Sequence, residues 1–154
     1  MSAILRSPLL RLRPMREADL GEVMAIEAQA YEFPWTPGIM RDCLRAGYCC
    51  WVCVLGERIV GYAIMSLAAG EANILNLCIH PELQGRGLGR KLLNRMLMLA
   101  RRHDADTAFL EVRVSNEAAF ALYDAAGFNE IGVRRNYYPA KEGKEDALVL
   151  AKTL

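Results

Sequence analysis

Asn73-Ile74-Leu75-Asn76-Leu77-Cys78-Ile79-His80-Pro81-Glu82-Leu83-Gln84-Gly85-Arg86-Gly87-Leu88-Gly89-Arg90-Lys91, continuing into a leucine- and methionine-rich run to Leu99, is the stretch that decides the fold. It begins as an apolar strand that Pro81 closes by removing a backbone donor. Gly85, Gly87 and Gly89 let the chain bend sharply and approach a ligand, because no Cβ intervenes. Leu88, Leu92, Met96 and Leu99, flanked by Leu93 and Leu97, recur at helical spacing, so a helix starts inside the glycine turn. Its first turn points amide N–H groups and the positive end of the helix dipole at whatever lies there. Arg86, Arg90 and Lys91 add charge, and the whole reads as a pyrophosphate cradle.

The spacing Gly85-x-Gly87-x-Gly89 is not the dinucleotide G-x-G-x-x-G. Arg90-Lys91 replaces the Lys-Ser/Thr that a nucleoside-triphosphate loop requires. Gln84-Gly85-Arg86-Gly87-Leu88-Gly89 does resemble Gln/Arg-x-x-Gly-x-Gly, the acetyl-coenzyme A motif of the GNAT family of N-acetyltransferases. The competing reading is a strand–helix turn that binds nothing; three glycines and three cations in a short span weigh against it.

On the N-terminal side, Leu10 and Leu12 alternate with arginines as a first strand. Leu20, Val23, Met24 and Glu27 lie along one stripe of a helix. Thr36 with Pro37 starts a second helix through Leu44, and Gly47 ends it. Tyr48–Leu55 and Ile59–Leu67 form a hairpin around Gly56-Glu57-Arg58. Beyond the central helix, His103–Asp106 connects to a strand over Thr107–Val112, and Ser115-Asn116-Glu117 caps a helix that Gly127 ends. Phe128–Arg135 is a strand, Asn136–Pro139 follows it, Lys141–Lys144 is a charged turn, and Ala147–Thr153 is the last strand. Early hairpins and later helical connections predict a mixed α/β sheet.

A chain of 154 residues with 53% hydrophobic and 24% charged residues suits one soluble domain over residues 1–154. The net charge of +1 implies no polyanion-binding surface, so no direct nucleic-acid partner is expected. No apolar run approaches the ~20 residues of a membrane span. Met1–Arg13 lacks the apolar block of a signal peptide, so the cytoplasm is the expected compartment. Five cysteines argue against a disulfide framework. Cys50-x-x-Cys53 lies in a strand-like run with no second ligand pair, His80 and His103 form no ligand motif, and no metal is expected; buried thiols are the favoured reading.

Phe109-Leu110-Glu111-Val112-Arg113-Val114-Ser115-Asn116-Glu117, with Ala121-Leu122-Tyr123 and Gly127-Phe128, carries the second signal. Glu111 points opposite to Leu110 and Val112. From the strand alone it reads as a glutamate on the wet face of an edge strand; a dry carboxylate would need a partner or a functional cleft. Together with Phe33-Pro34-Trp35 and Arg134-Arg135-Asn136-Tyr137-Tyr138-Pro139, these residues resemble the RimI branch of the GNAT family, which acetylates the N-terminal alanine of a small-subunit ribosomal protein. The resemblance runs from about Ala18 to Ala151. It implies the GNAT fold: an α/β (α+β) domain whose mixed, mostly antiparallel sheet of about seven strands is flanked by about four helices.

The same resemblance implies Glu111 as general base and Tyr123 as general acid, with acetyl-coenzyme A as co-substrate. It implies that backbone groups of Leu77, Cys78 and Ile79 hold the pantetheine arm. By the same resemblance Gln84, Gly85, Arg86, Gly87, Leu88, Gly89 and Arg90 should take the pyrophosphate, and Asn116 should bond the coenzyme. The resemblance also implies that Phe33, Trp35, Tyr137 and Tyr138 line the channel for the N-terminal peptide of a ribosomal protein. Read without the family, Tyr123 is equally a core tyrosine, Asn116 a helix cap, and the aromatics packing residues. A monomer or weak dimer is expected. The readings left to compete are an acetyltransferase acting on lysine or a small amine, and a non-catalytic coenzyme-binding module.

Overall fold

The computed structural model describes residues 9–154; the signal-peptide reading of Met1–Arg13 falls largely outside them. Its elements are β1 (Leu10–Pro14), α1 (Leu20–Ala30), α2 (Pro37–Arg45), β2 (Cys49–Leu55), β3 (Arg58–Ala68), β4 (Glu71–Ile79), α3 (Leu88–Arg102), β5 (Thr107–Arg113), α4 (Glu117–Ala125), β6 (Asn129–Ala140) and β7 (Gly143–Thr153). Seven strands form one sheet in the order β1-β2-β3-β4-β5-β7-β6. β4 and β5 pair in parallel, whereas β1–β2, β5–β7 and β6–β7 are antiparallel. Among the described residues, no helix is long and apolar enough to cross a membrane.

Two compact units share these elements: residues up to Ile64 with Leu77–Leu92, and Met65–Asn76 with Leu93–Leu154. In the first, Met15, Val23, Ile26, Met40, Val52, Val54, Ile59, Tyr62 and Ile64 form one buried cluster. Val23, Ile26 and Glu27 are the buried residues of α1, as the helical spacing predicts. Thr36 accepts a hydrogen bond from the Ile39 N–H with Pro37 at the first helical position, so α2 starts where its cap and fixed φ place it.

In the second unit β5 alternates strictly: Ala108, Leu110 and Val112 are buried, and Glu111 and Arg113 occupy the other face, half-buried. β5 lies between β4 and β7, so Glu111 is not on an edge strand, contrary to the reading from the strand alone. The last hairpin is also longer than the sequence suggests. β6 runs through Tyr137 and Tyr138 to Ala140, and β7 begins at Gly143. A bulge absorbs the irregular stretch: Arg134 pairs with Ala147 and Tyr138 with Glu145, four steps on β6 against two on β7. Asn136 takes φ +52° there and donates its N–H to Asp146 Oδ1 at 2.9 Å.

Candidate active site

The first unit carries the glycine turn. β4 continues past Ile74, its last pair with β5, and ends at Ile79. The His80 N–H donates to the Val60 carbonyl at 2.7 Å, and His80 Nδ1 accepts the Glu82 N–H at 3.1 Å. His80 thus caps the short 3-10 turn Pro81–Leu83, a job ordinarily done by a carboxylate or hydroxyl oxygen. Gln84 Nε2 donates to the Ile79 carbonyl at 3.0 Å and braces the end of the strand. Gly85 and Gly87 take φ of +78° and +82°, conformations that disfavour a side chain. A Cβ on either would meet nothing within 4 Å, so the turn is an open cradle. Gly89 does not share that geometry; it is the second residue of α3, within the helix rather than in the bend. The α3 ladder opens with the Lys91 N–H on the Gly87 carbonyl at 3.2 Å, so the Leu88 and Gly89 amides precede it at the positive end of the helix. Arg86, Arg90 and Lys91 are exposed beside this helix start, which puts cationic side chains and free amides together.

Leu77, Cys78 and Ile79 are packed from behind. The Tyr31 hydroxyl donates to the Leu77 carbonyl at 3.4 Å. A Cβ on Gly61 would lie 2.8 Å from the Cys78 carbonyl oxygen and 2.6 Å from Ile79 Cδ1, so this close approach of β3 requires glycine. Burial pushes the Cys78 thiol up to about 11, which leaves it protonated and unsuited to act as a nucleophile near neutral pH. Cys50 and Cys53 are buried free thiols on β2, and the Cys50 thiol is pushed up to about 12 by burial. Three residues apart on a strand, they face opposite ways.

Glu27 went unassigned in the sequence beyond its place on a helical stripe, yet it is 2% exposed. Its carboxyl accepts the Tyr62 hydroxyl and, at 2.9 Å, the Trp35 N–H. It therefore fixes the segment bearing Phe33 and Trp35 to α1 and β3. Trp35 packs partly buried against the core cluster, so packing is one of its roles, whereas Phe33 stands 39% exposed. The available signal was a charged residue at a core-facing helical position, which demands partners.

The second unit holds the remaining candidates. Glu111 Oε1 pairs with Arg134 Nε at 2.9 Å, and the Tyr137 hydroxyl hydrogen-bonds the same carboxylate. Register explains the reach: Ala147 of β7 lies between Arg113 and Arg134, and its small side chain lets Arg134 extend from β6 across β7 to β5. Arg113 donates to Glu145 Oε1 at 2.9 Å and to the Pro139 carbonyl at 2.7 Å, with its guanidinium 4.4 Å from the centre of the Tyr138 ring. Ser115 Oγ donates to Glu145 as well, at 3.0 Å. The Arg113 hydrogen bond holds the Glu145 carboxyl below the usual range. The hydrogen bond to Glu111 raises the Tyr137 hydroxyl, and burial followed by the Glu111 charge pushes Tyr138 up to about 12. The bulge thus brings Tyr137 to Glu111 and Tyr138 under the Arg113 guanidinium.

Tyr123 is 7% exposed on α4, its ring edge-on to Phe128 with centroids 5.7 Å apart. Asn116 Oδ1 accepts the Ala119 N–H at 3.1 Å and caps α4, which leaves its Nδ2 donors for another partner.

A family model described as the acetyltransferase (GNAT) family matches residues 20–128. The [ribosomal protein bS18]-alanine N-acetyltransferase of Escherichia coli is 36% identical over 137 residues, 89% of this chain and 93% of its own. The enzyme of the same name from Salmonella typhimurium is 38% identical over 133 residues, 86% of this chain and 90% of its own. The crystal structure of the E. coli ribosomal-protein-S18-alanine N-acetyltransferase superposes with a TM-score of 0.89 at 34% identity, covering 94% of both chains.

Proposed function

The chain belongs to the GNAT acetyltransferase family, and from that premise we propose that it is a single-domain enzyme transferring the acetyl group of acetyl-coenzyme A to the N-terminal alanine of ribosomal protein bS18. The observation that carries the reading is the nearly full-length likeness to bS18-alanine N-acetyltransferases. The open turn at Gly85 and Gly87 supports coenzyme binding, with Arg86, Arg90 and the Leu88 and Gly89 amides taking the diphosphate. Leu77–Ile79 offer backbone groups to the pantetheine arm, and Asn116 offers Nδ2. Phe33, Trp35, Tyr137 and Tyr138 take the peptide.

The coenzyme supplies an activated thioester. An α-ammonium of pKa about 8 is largely protonated at neutral pH and must lose a proton before it can form the amide bond. Glu111 takes that proton, directly or through water. The C–S bond breaks as the amide forms, and the departing sulfur, comparable to a thiol of pKa about 8.5, receives a proton from the Tyr123 phenol. The buried, protonated Cys78 supports direct transfer without a covalent enzyme intermediate.

Thiol release is measured with acetyl-coenzyme A and three acceptors: a peptide carrying the bS18 N-terminus, an internal-lysine peptide and a polyamine. Preference for the first is expected. Preference for lysine or polyamine overturns the substrate, and coenzyme binding without thiol release from any acceptor overturns the enzyme.

A further inference from the structure

The two arginines beside Glu111 are held differently. Arg113 is locked by Glu145, the Pro139 carbonyl and the Tyr138 ring, and Ser115 fixes Glu145 in turn. Arg134 rests on Glu111 and lies 5.6 Å from the centre of the Tyr137 ring. Its side chain is 57% exposed, on the sheet's edge strand and next to a bulge, whereas the Glu111 side chain is 25% exposed. A guanidinium in that position occupies a carboxylate that an incoming ammonium must reach.

Resting on Glu111 as the base, we propose that Arg134 is an exchangeable counter-ion, a positioning residue that the N-terminal ammonium of the substrate displaces from Glu111. Like charge then replaces like charge on the carboxylate, so the exchange costs little. The Tyr137 hydroxyl stays on Glu111 throughout and keeps it oriented while Arg134 swings into solvent. An ion pair so exposed is weak, as displacement requires. Arg113 takes no part, because three sets of contacts hold it.

The test is peptide affinity, read by calorimetry on the coenzyme A-saturated protein with a peptide beginning in alanine. Arg134→Met keeps an aliphatic stem beside Tyr137 but removes the competing cation. It is expected to tighten peptide binding about two- to fivefold, up to about 1 kcal/mol at 1.4 kcal/mol per tenfold. Arg134→Lys, which keeps the charge, is expected to bind closer to wild type. In a Glu111→Gln background, Arg134→Met should no longer tighten binding, because no carboxylate remains to compete for. Weaker or unchanged binding by Arg134→Met overturns the proposal, as does a gain that persists without Glu111; a merely structural arginine would not tighten binding when removed. Wild-type turnover by Glu111→Gln would instead remove the base assignment, and the exchange would still be decided by the affinities.

Discussion

Glu27 and Glu111 are both glutamates among apolar neighbours, and their partners separate them. Glu27 is 2% exposed and satisfied by the hydroxyl of Tyr62 and the amide of Trp35, donors fixed in the core and the backbone. Glu111 is satisfied by a half-exposed guanidinium and a tyrosine on a bulge. The first arrangement cannot change without moving α1, β3 or the Trp35 segment; the second can exchange a partner by one rotamer change. Glu27 is braced by fixed donors, whereas under the proposed base role Glu111 keeps Tyr137 and exchanges Arg134.

The strongest challenge to that contrast is Glu111→Gln. It should lower kcat by about 10²–10⁴-fold, the range for a general base, with little change in Tm. Tyr123→Phe keeps the ring against Phe128 and should cost about 10²-fold in kcat, again without unfolding. Wild-type turnover by either variant would return that residue to a packing role. Glu27→Ala should show the opposite pattern. It leaves the Tyr62 hydroxyl and the Trp35 N–H without their acceptor in a dry environment, a loss of about 2–4 kcal/mol. For a domain of this size that lowers Tm by about 5–15 °C in a thermal melt. If Glu27→Ala melted like wild type but lost turnover, the two glutamates would have been assigned the wrong way round.

How far each carboxyl could be read from the chain follows from the same physics. The alternation of Ala108, Leu110 and Val112 with Glu111 and Arg113 is local and survives in the fold, whereas the edge position read for β5 depends on its neighbours and does not. The Thr36-Pro37 helix start also survives, as does the glycine turn at Gly85 and Gly87, though not at Gly89, since each depends on a few adjacent residues. Partners distant in sequence were illegible: Glu27 meets Tyr62 35 positions away, and Arg134 reaches Glu111 diagonally across β7, from the Ala147 row to the Val149 row. The bulge at Asn136 was missed for a related reason. Side-chain alternation does not reveal where one strand gains residues on its neighbour, so Tyr137 and Tyr138 looked as if they followed the strand. The His80 cap was illegible too, because a ring nitrogen does there what a carboxylate or hydroxyl oxygen usually does.

Asp19 sharpens the comparison from a third position, with a guanidinium partner like Glu111 but a burial closer to that of Glu27. Arg13 grips it through both terminal nitrogens, at 2.8 and 2.9 Å, and the Arg16 N–H adds a third bond at 2.8 Å. The Arg13 hydrogen bond, opposed by burial, holds the Asp19 carboxyl below its ordinary value. A carboxyl whose pKa is depressed by folding stabilises the fold at pH above its unfolded value, about 3.9, and loses that contribution as pH falls through the folded value. Asp19→Asn should therefore lower Tm near pH 7 by a few degrees, for a loss of about 1 kcal/mol. The gap to wild type should begin to narrow below about pH 4 and close only once the pH has fallen through the lower folded value, where the native wild-type carboxyl is protonated too. A Tm difference that stayed constant down to pH 2 would mean that packing, not charge, holds Asp19. Burial would then outrank partner type in deciding which carboxyls of this protein are fixed.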